Sequence, residues 1–134
     1  MLYLEKENNM KKIISTLNAP EAIGPYSQAV LQNNTLYCSG QIALNPRNNE
    51  LIIDNIVDET HQVMKNIQEI LREANMDFNN IVKCTIFLKN MNDYIKVNEV
   101  YRTYFTSQPP AREAVQVSLL PKNVNIEISA IACF

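Results

Sequence analysis

Two charged residues lie inside otherwise apolar, strand-like segments and are the best candidates for chemistry. Arg112 follows two prolines in the segment PPAREAVQV (109–117), and Glu127 lies in NIEISAIAC (125–133). Arginine stays charged at any working pH, and its planar guanidinium matches a carboxylate with two parallel hydrogen bonds. A glutamate can accept a proton from a reacting group. Together these residues indicate a site for a small carboxylate ligand.

Most other catalytic classes find little support among the residues. No serine or cysteine has a plausible neighbouring base, and no pair of carboxylates stands out. With only Gly24 and Gly40, a glycine-rich phosphate loop is excluded. The three cysteines are far apart in apolar runs and are expected to be reduced core residues, and the chain has one histidine, so we expect no metal site.

Length, charge and hydropathy restrict the class of protein and its partners. A chain of 134 residues is expected to form one compact domain. A net charge of -2 and the lack of any long Lys/Arg run argue against nucleic acid as a partner. No apolar stretch reaches the roughly 18 residues of a membrane span, so no membrane partner is expected. Free cysteines and the lack of a signal peptide predict a cytoplasmic location.

The candidate residues need a sheet and helices to position them. Residues 26–32 and 35–40 predict a hairpin whose turn, Asn33-Asn34, tolerates positive φ angles. Apolar residues at helical spacing after Asn55, the expected N-cap, predict an amphipathic helix of about five turns. The alternating segment 81–89 predicts a strand.

A second helix is predicted to begin after Asn92 or Asp93 and to end at the prolines of SQPP. The segments 112–119 and 125–133 then predict two final strands, joined by LPKNV. Strands grouped around two separate helices indicate an α+β fold, in which both helices cover one face of the sheet and leave the other face uncovered.

Strand alternation places Arg112 and Glu127 together on the uncovered face. That face is either solvated or covered by a second subunit, in which case the two residues would line a cleft between chains. If LPKNV forms a hairpin, Glu127 lies opposite Gln116 and about 13 Å from Arg112, at the usual strand rise. A direct ion pair between Arg112 and Glu127 therefore requires that the two strands are not hairpin neighbours.

Five ordered motifs support a resemblance to a known family. NAPEAIGPYSQAV (18–30), SGQIALNP (39–46), VKCTIFLKNMNDY (82–94), PPAREAVQV (109–117) and LPKNVNIEISAIA (120–132) stand at the family's spacing. Over residues 12–134 the chain resembles the RidA (YjgF) family of reactive intermediate deaminases. The first eleven residues lie outside the resemblance and are expected to form a flexible extension.

The resemblance implies a chorismate-mutase-like fold, a mixed sheet with two helices on one face, assembled as a homotrimer with the sheets facing inward. Ligand clefts would lie between subunits. The implied activity is the hydrolysis of enamine and imine carboxylates such as 2-aminoacrylate and 2-iminobutanoate to 2-keto acids and ammonia. No cofactor is implied.

The same resemblance implies roles for individual residues. Arg112 matches the carboxylate-binding arginine, and Glu127 matches the acid near the attacking water. Tyr26 matches the cleft wall, and Ser39, Gly40 and Asn92 match further lining residues. Ala114 occupies a substrate-binding position that is cysteine in several members, and Glu113 replaces a small or apolar residue.

Two other functions stay open at this point. A non-catalytic trimer that binds small carboxylates, or that acts as a regulator, would keep Arg112 but would not need Glu127. Ribonuclease or translation-inhibitor activity has been claimed for relatives, and the acidic charge of this chain argues against it.

Overall fold

The computed structural model describes residues 10–134 as one mixed sheet with two α-helices. The strands are β1 (Lys12–Ile14), β2 (Ala29–Gln32), β3 (Thr35–Gln41), β4 (Ile81–Leu88), β5 (Ala111–Gln116) and β6 (Ile126–Cys133), and the helices are α1 (Ile56–Glu73) and α2 (Tyr94–Arg102). The α+β prediction, including one sheet and two helices, is confirmed.

Helix α1 begins where its capping residue predicts. The side chain of Asn55 accepts a hydrogen bond from the Asp58 amide at 2.8 Å, which satisfies one free amide of the first turn. The apolar stripe of α1 is fully buried: Val63, Met64, Ile67, Ile70 and Leu71. Helix α2 is shorter and buries Val97, Val100 and Tyr101. These two stripes pack against the buried side chains of the strands, and together they form the core on the helix side of the sheet.

The predicted hairpin is also confirmed. Strands β2 and β3 pair antiparallel from Ala29↔Cys38 to Gln32↔Thr35. Asn33 and Asn34 have φ angles of 51° and 69°, the left-handed conformation that a tight turn of this type needs.

The last two strands, β5 and β6, do not pair with each other, so they do not form the hairpin that the sequence analysis considered. The sheet runs β1-β2-β3-β6-β4-β5, so β6 lies between β3 and β4, and β5 forms an edge. Strands β4 and β5 are parallel because α2 crosses between them, whereas every other pair is antiparallel. The segment LPKNV is therefore a crossover from β5 to β6 rather than a hairpin turn.

The second face of the sheet has no helix over it in residues 10–134, and it carries many apolar side chains. Tyr37 and Val115 are 52% and 43% exposed there. Strand pairing places further apolar residues on this open face: Ile13, Val30, Phe87 and Ile131. An apolar open face favours cover by another molecule over a purely solvated surface.

The structure also bears on the cysteines, the start of the chain and the possibility of a membrane span. Cys38 and Cys84 are buried and Cys133 is partly buried, all as free thiols. Burial raises the pKa of Cys38 to about 12. Of the expected extension 1–11, residues 1–9 lie outside the described part of the chain, and Met10 is exposed. Neither α1 nor α2 is long and apolar enough to span a bilayer.

Candidate functional site

Arg112 lies on the helix side of the sheet, which corrects the prediction that it lies on the uncovered face. In the parallel pairing of β4 and β5 it stands beside Cys84, which is buried under the helices. Its guanidinium carbon lies 4.9 Å from the centre of the Tyr101 ring, and its Nη2 donates a hydrogen bond to the Tyr94 hydroxyl at 2.9 Å. Both tyrosines belong to α2.

The alternation along β5 was predicted correctly, but its two faces were assigned the wrong way round. Val115 points to the open face and is 43% exposed, whereas Ala114 packs against the core. Val115 pairs with Phe87 on an open face that is itself apolar, so apolar character alone did not identify the core side of β5. The aromatic rings of α2 provide the surface on which the Arg112 guanidinium stacks.

Glu127 lies on the open face, as predicted. It pairs with Phe87 across β4, and its side chain lies directly over Gly40. A Cβ added to Gly40 would lie 2.8 Å from the Glu127 carboxylate carbon, so only glycine allows this close approach. Partial burial raises the pKa of the Glu127 carboxyl above its ordinary value of 4.5. The side chain can therefore exchange a proton closer to neutral pH than an exposed glutamate.

Glu127 lines a cavity of about 280 Å³. Tyr26 and Gly40 line this cavity. The rest of its wall consists of five apolar residues, Pro20, Ile23, Ile42, Leu44 and Pro121, and four polar ones, Glu21, Gln28, Gln41 and Lys122. Gly24, with a φ of 133°, makes the turn that carries Tyr26, whose amide donates to the Gly24 carbonyl at 2.9 Å. A largely apolar pocket with a few charged groups, those of Glu21, Lys122 and Glu127, suits a small organic ligand.

Ser39 supports this cavity rather than entering it. Its hydroxyl donates to the Ser27 carbonyl at 2.6 Å, and its amide donates to the Gln28 carbonyl. These bonds tie β3 to the loop that carries Tyr26. Ser39 thus holds the wall beside Gly40.

Two supporting residues were missed by sequence reasoning. Buried Gln28 holds the loop before Tyr26, since its side chain bonds the amide and carbonyl of Thr16 and the carbonyls of Ala19 and Pro20. Buried Glu59 of α1 accepts bonds from the backbone amides of Asn125 and Ile126 and from the Asn125 side chain, directly before Glu127. Both residues could have been found in the sequence, because each is a polar residue within or beside a run of apolar residues that is expected to be buried.

Asn92 and Ala114 lie on the Arg112 side of the molecule. Asn92 is exposed in the turn 91–93 that precedes α2. The side chain of Gln116 accepts a hydrogen bond from the Met91 amide at 2.8 Å, which fixes this turn against the end of β5. Ala114 is half-buried between Arg112 and Gln116 on the same face.

Arg112 and Glu127 do not meet within one chain. They lie on opposite faces, with β4 between their strands and a displacement of three residues, which separates their Cα atoms by about 14 Å at ordinary strand spacings. The ion pairs within residues 10–134 are Arg72–Glu69 and Lys83–Glu113, so Arg112 has no carboxylate partner there. Tyr26, Gly40 and Glu127 share one cavity, and Arg112 does not line it.

A family model described as Endoribonuclease L-PSP matches residues 16–134. The chain belongs to this family, the RidA (YjgF) family.

Several RidA-family relatives resemble the chain over nearly its whole length. The mouse protein named 2-iminobutanoate/2-iminopropanoate deaminase is 51% identical over 92% of this chain and 91% of its own length. A Lactococcus lactis protein, AldR, named as a candidate regulator, is 54% identical over 90% of this chain and 96% of its own length.

The fold of the RidA family is shared as well. The crystal structure of Escherichia coli TdcF with bound serine matches with a TM-score of 0.88 and 38% identity, covering 92% of this chain and 98% of that one. Within residues 10–134, no group of three or more His, Cys, Asp or Glu side chains lies close enough to hold a metal ion.

Proposed function

We propose that this protein hydrolyses imine and enamine carboxylates, such as 2-iminobutanoate and 2-aminoacrylate, to 2-keto acids and ammonia without a cofactor. The main support is the identity of about 50% over nine tenths of the chain with a mammalian deaminase of that name. Arg112, which has no carboxylate partner within residues 10–134, and Glu127, which lines the cavity, would supply carboxylate binding and proton transfer.

Arg112 binds the substrate carboxylate in this proposal. Its guanidinium has five N–H donors, and its described contacts are one hydrogen bond to Tyr94 and the faces of two rings. The remaining donors are free to form two parallel bonds with a carboxylate. Stacking on Tyr101 and Tyr94 holds the plane of the guanidinium, which gives those bonds a fixed direction.

Glu127 activates the attacking water. The water loses a proton to Glu127 as its oxygen bonds to the imine carbon, and the C=N π electrons move to nitrogen, which takes that proton from Glu127. The resulting carbinolamine breaks its C–N bond as Glu127 accepts the hydroxyl proton and passes it to the nitrogen, which leaves as ammonia. Water and imine are thereby converted to a keto acid and ammonia, with Glu127 restored. An enamine substrate first takes a proton on carbon and loses one from nitrogen to become the imine.

A shared cleft follows from the separation of these two residues. The substrate is only a few ångströms long, so Arg112 and Glu127 of one chain, about 14 Å apart on opposite faces, cannot act on it together. We therefore propose that Arg112 of one copy meets Glu127 of the next. A homotrimer of chorismate-mutase-like subunits, with the apolar open faces inward, would create three such clefts.

A non-catalytic regulator is the second candidate, and the relative AldR favours it. A regulator would bind small carboxylates through Arg112 without turnover, so that Glu127 would contribute little. The family description names an endoribonuclease. Ribonuclease activity is disfavoured here because a chain with a net charge of -2 does not attract the phosphates of RNA.

A coupled assay separates these functions. A threonine dehydratase generates 2-aminocrotonate and 2-iminobutanoate, and the release of 2-oxobutanoate is measured with and without this protein. We expect release faster than spontaneous hydrolysis with the unmodified protein, and no acceleration with Arg112→Ala. Binding of 2-oxobutanoate without acceleration would favour the regulator, and cleavage of an RNA oligonucleotide would favour the ribonuclease.

A further inference from the structure

Tyr94 is placed to control the direction of the Arg112 guanidinium. Its hydroxyl oxygen accepts a hydrogen bond from Arg112 Nη2 at 2.9 Å, and its ring lies 5.6 Å from the guanidinium carbon. Tyr101 covers the same guanidinium at 4.9 Å, but the hydrogen bond that Arg112 donates goes to the Tyr94 hydroxyl and not to that of Tyr101. Tyr94 therefore supplies the directed contact, and Tyr101 supplies a flat surface.

The position of Tyr94 is itself fixed by the sheet. It is the first residue of α2 and follows the turn 91–93, whose Met91 amide is held by Gln116 of β5. Arg112 and Gln116 lie on the same face of β5, four residues apart. One strand thus carries the guanidinium and also anchors the helix start that orients it.

The hydrogen bond leaves the guanidinium able to clamp a carboxylate. Tyr94 takes one of the two N–H groups on Nη2, so one edge with two parallel donors stays available. A hydrogen bond from Asn98 and the charge of Arg112 both lower the pKa of the Tyr94 phenol, in keeping with an oxygen that accepts bonds.

We propose that Tyr94 is a positioning residue that turns the free edge of Arg112 toward the substrate carboxylate. The inference rests on the function proposed above and assigns a further residue to the same site. Tyr94 acts through Arg112, so it affects carboxylate binding and leaves the hydrolytic step at Glu127 unchanged.

The test compares Tyr94→Phe with Tyr104→Phe. The first variant keeps the ring on Arg112 and removes only the hydroxyl. The second is a matched control, because the Tyr104 hydroxyl bonds to His61 Nδ1 at 2.6 Å and not to Arg112. For each variant, KM and kcat for 2-iminobutanoate are measured, together with the Kd of 2-oxobutanoate by calorimetry and the thermal midpoint.

For Tyr94→Phe we expect KM and Kd to rise together by about threefold to tenfold, the factor expected for one net hydrogen bond, while kcat changes by less than about twofold. Tyr104→Phe is expected to leave all three values unchanged. In an Arg112→Lys background, Tyr94→Phe should have no further effect, because the edge that it orients is gone.

The outcomes separate this inference from the proposed function. Unchanged KM and Kd in Tyr94→Phe, with an active unmodified protein, would overturn the positioning role and leave the function intact. A fall in kcat alone would assign Tyr94 to the hydrolytic step and overturn the positioning role, and loss of folding would make Tyr94 a scaffold residue. An unmodified protein that neither hydrolyses the imine nor binds 2-oxobutanoate would overturn both proposals.

Discussion

Adding one methyl group at Gly40 should move the proposed water-activating carboxylate without unfolding the protein. The Cβ of Gly40→Ala would lie 2.8 Å from the Glu127 carboxylate carbon and 3.0 Å from its Oε2. Ordinary carbon contacts begin near 3.6 Å, so the carboxylate must shift by about 0.8 Å. Because the displaced atoms are the end of a flexible side chain, we expect the free energy of unfolding to change by less than about 1 kcal/mol.

A shift of this size is large for a catalytic group. Misplacement by about 1 Å can cost on the order of 10²-fold in rate, so kcat/KM for 2-iminobutanoate should fall about tenfold to hundredfold in Gly40→Ala. The coupled dehydratase assay measures this fall, and a thermal melt reports on the fold. Binding of 2-oxobutanoate should change less than kcat, because Arg112 is untouched.

A double variant tests whether the methyl group acts through Glu127. With Glu127→Gln already present there is no base to misplace, so Gly40→Ala should then cost much less than it does alone. Equal costs in both backgrounds would show that Gly40 acts by another route. Full activity of Gly40→Ala would refute the idea that hydrolysis depends on the position of Glu127, and a large drop in thermal midpoint would make the close approach a requirement of the fold.

Four further outcomes are expected. Arg112→Lys should lower kcat/KM about tenfold to hundredfold, since one charged hydrogen bond, worth about 1.5–3 kcal/mol, and the flat stacking on Tyr101 are lost; near-full activity would contradict the bidentate clamp. Glu127→Gln should slow hydrolysis about 10²- to 10⁴-fold while Glu113→Gln, on the same face, does not; unchanged turnover would favour the regulator. Because the Glu127 pKa is raised and its carboxylate must be free to accept a proton, activity should fall as pH decreases through a value above 4.5. Light scattering should report about three times the chain mass of 15.3 kDa, and a stable monomer would exclude the shared cleft.

The raised pKa of Glu127 also affects stability, with a sign that can be checked. Between its unfolded and folded pKa values the native state binds more protons, so stability falls as pH rises through that window. At neutral pH the wild type therefore bears the cost of a partly buried charge. At pH 7, the melting temperature of Glu127→Gln should equal or exceed that of the wild type, although the variant loses activity. A lower melting temperature would mean that the charge stabilises the fold.

Local structure was predictable from the sequence because it depends on neighbouring residues. The capping side chain of Asn55, the spacing of the apolar residues of α1 and the tolerance of Asn33 and Asn34 for positive φ are properties of short segments. They correctly predicted α1 and the β2–β3 hairpin. The alternation that marks β4, β5 and β6 as strands is equally local, and motif spacing was enough to identify the family.

Only the tertiary structure decided which faces and strands come together. The alternation of side chains along β5 predicts that Arg112 and Val115 point to opposite faces of the sheet, but it does not predict which of them faces the helices. That choice depends on β5 pairing in parallel at the edge of the sheet, beneath the tyrosines of α2. The insertion of β6 between β3 and β4 then puts Glu127 over Gly40 and far from Arg112. Strand order depends on the packing of segments distant in sequence, so no local pattern specifies it.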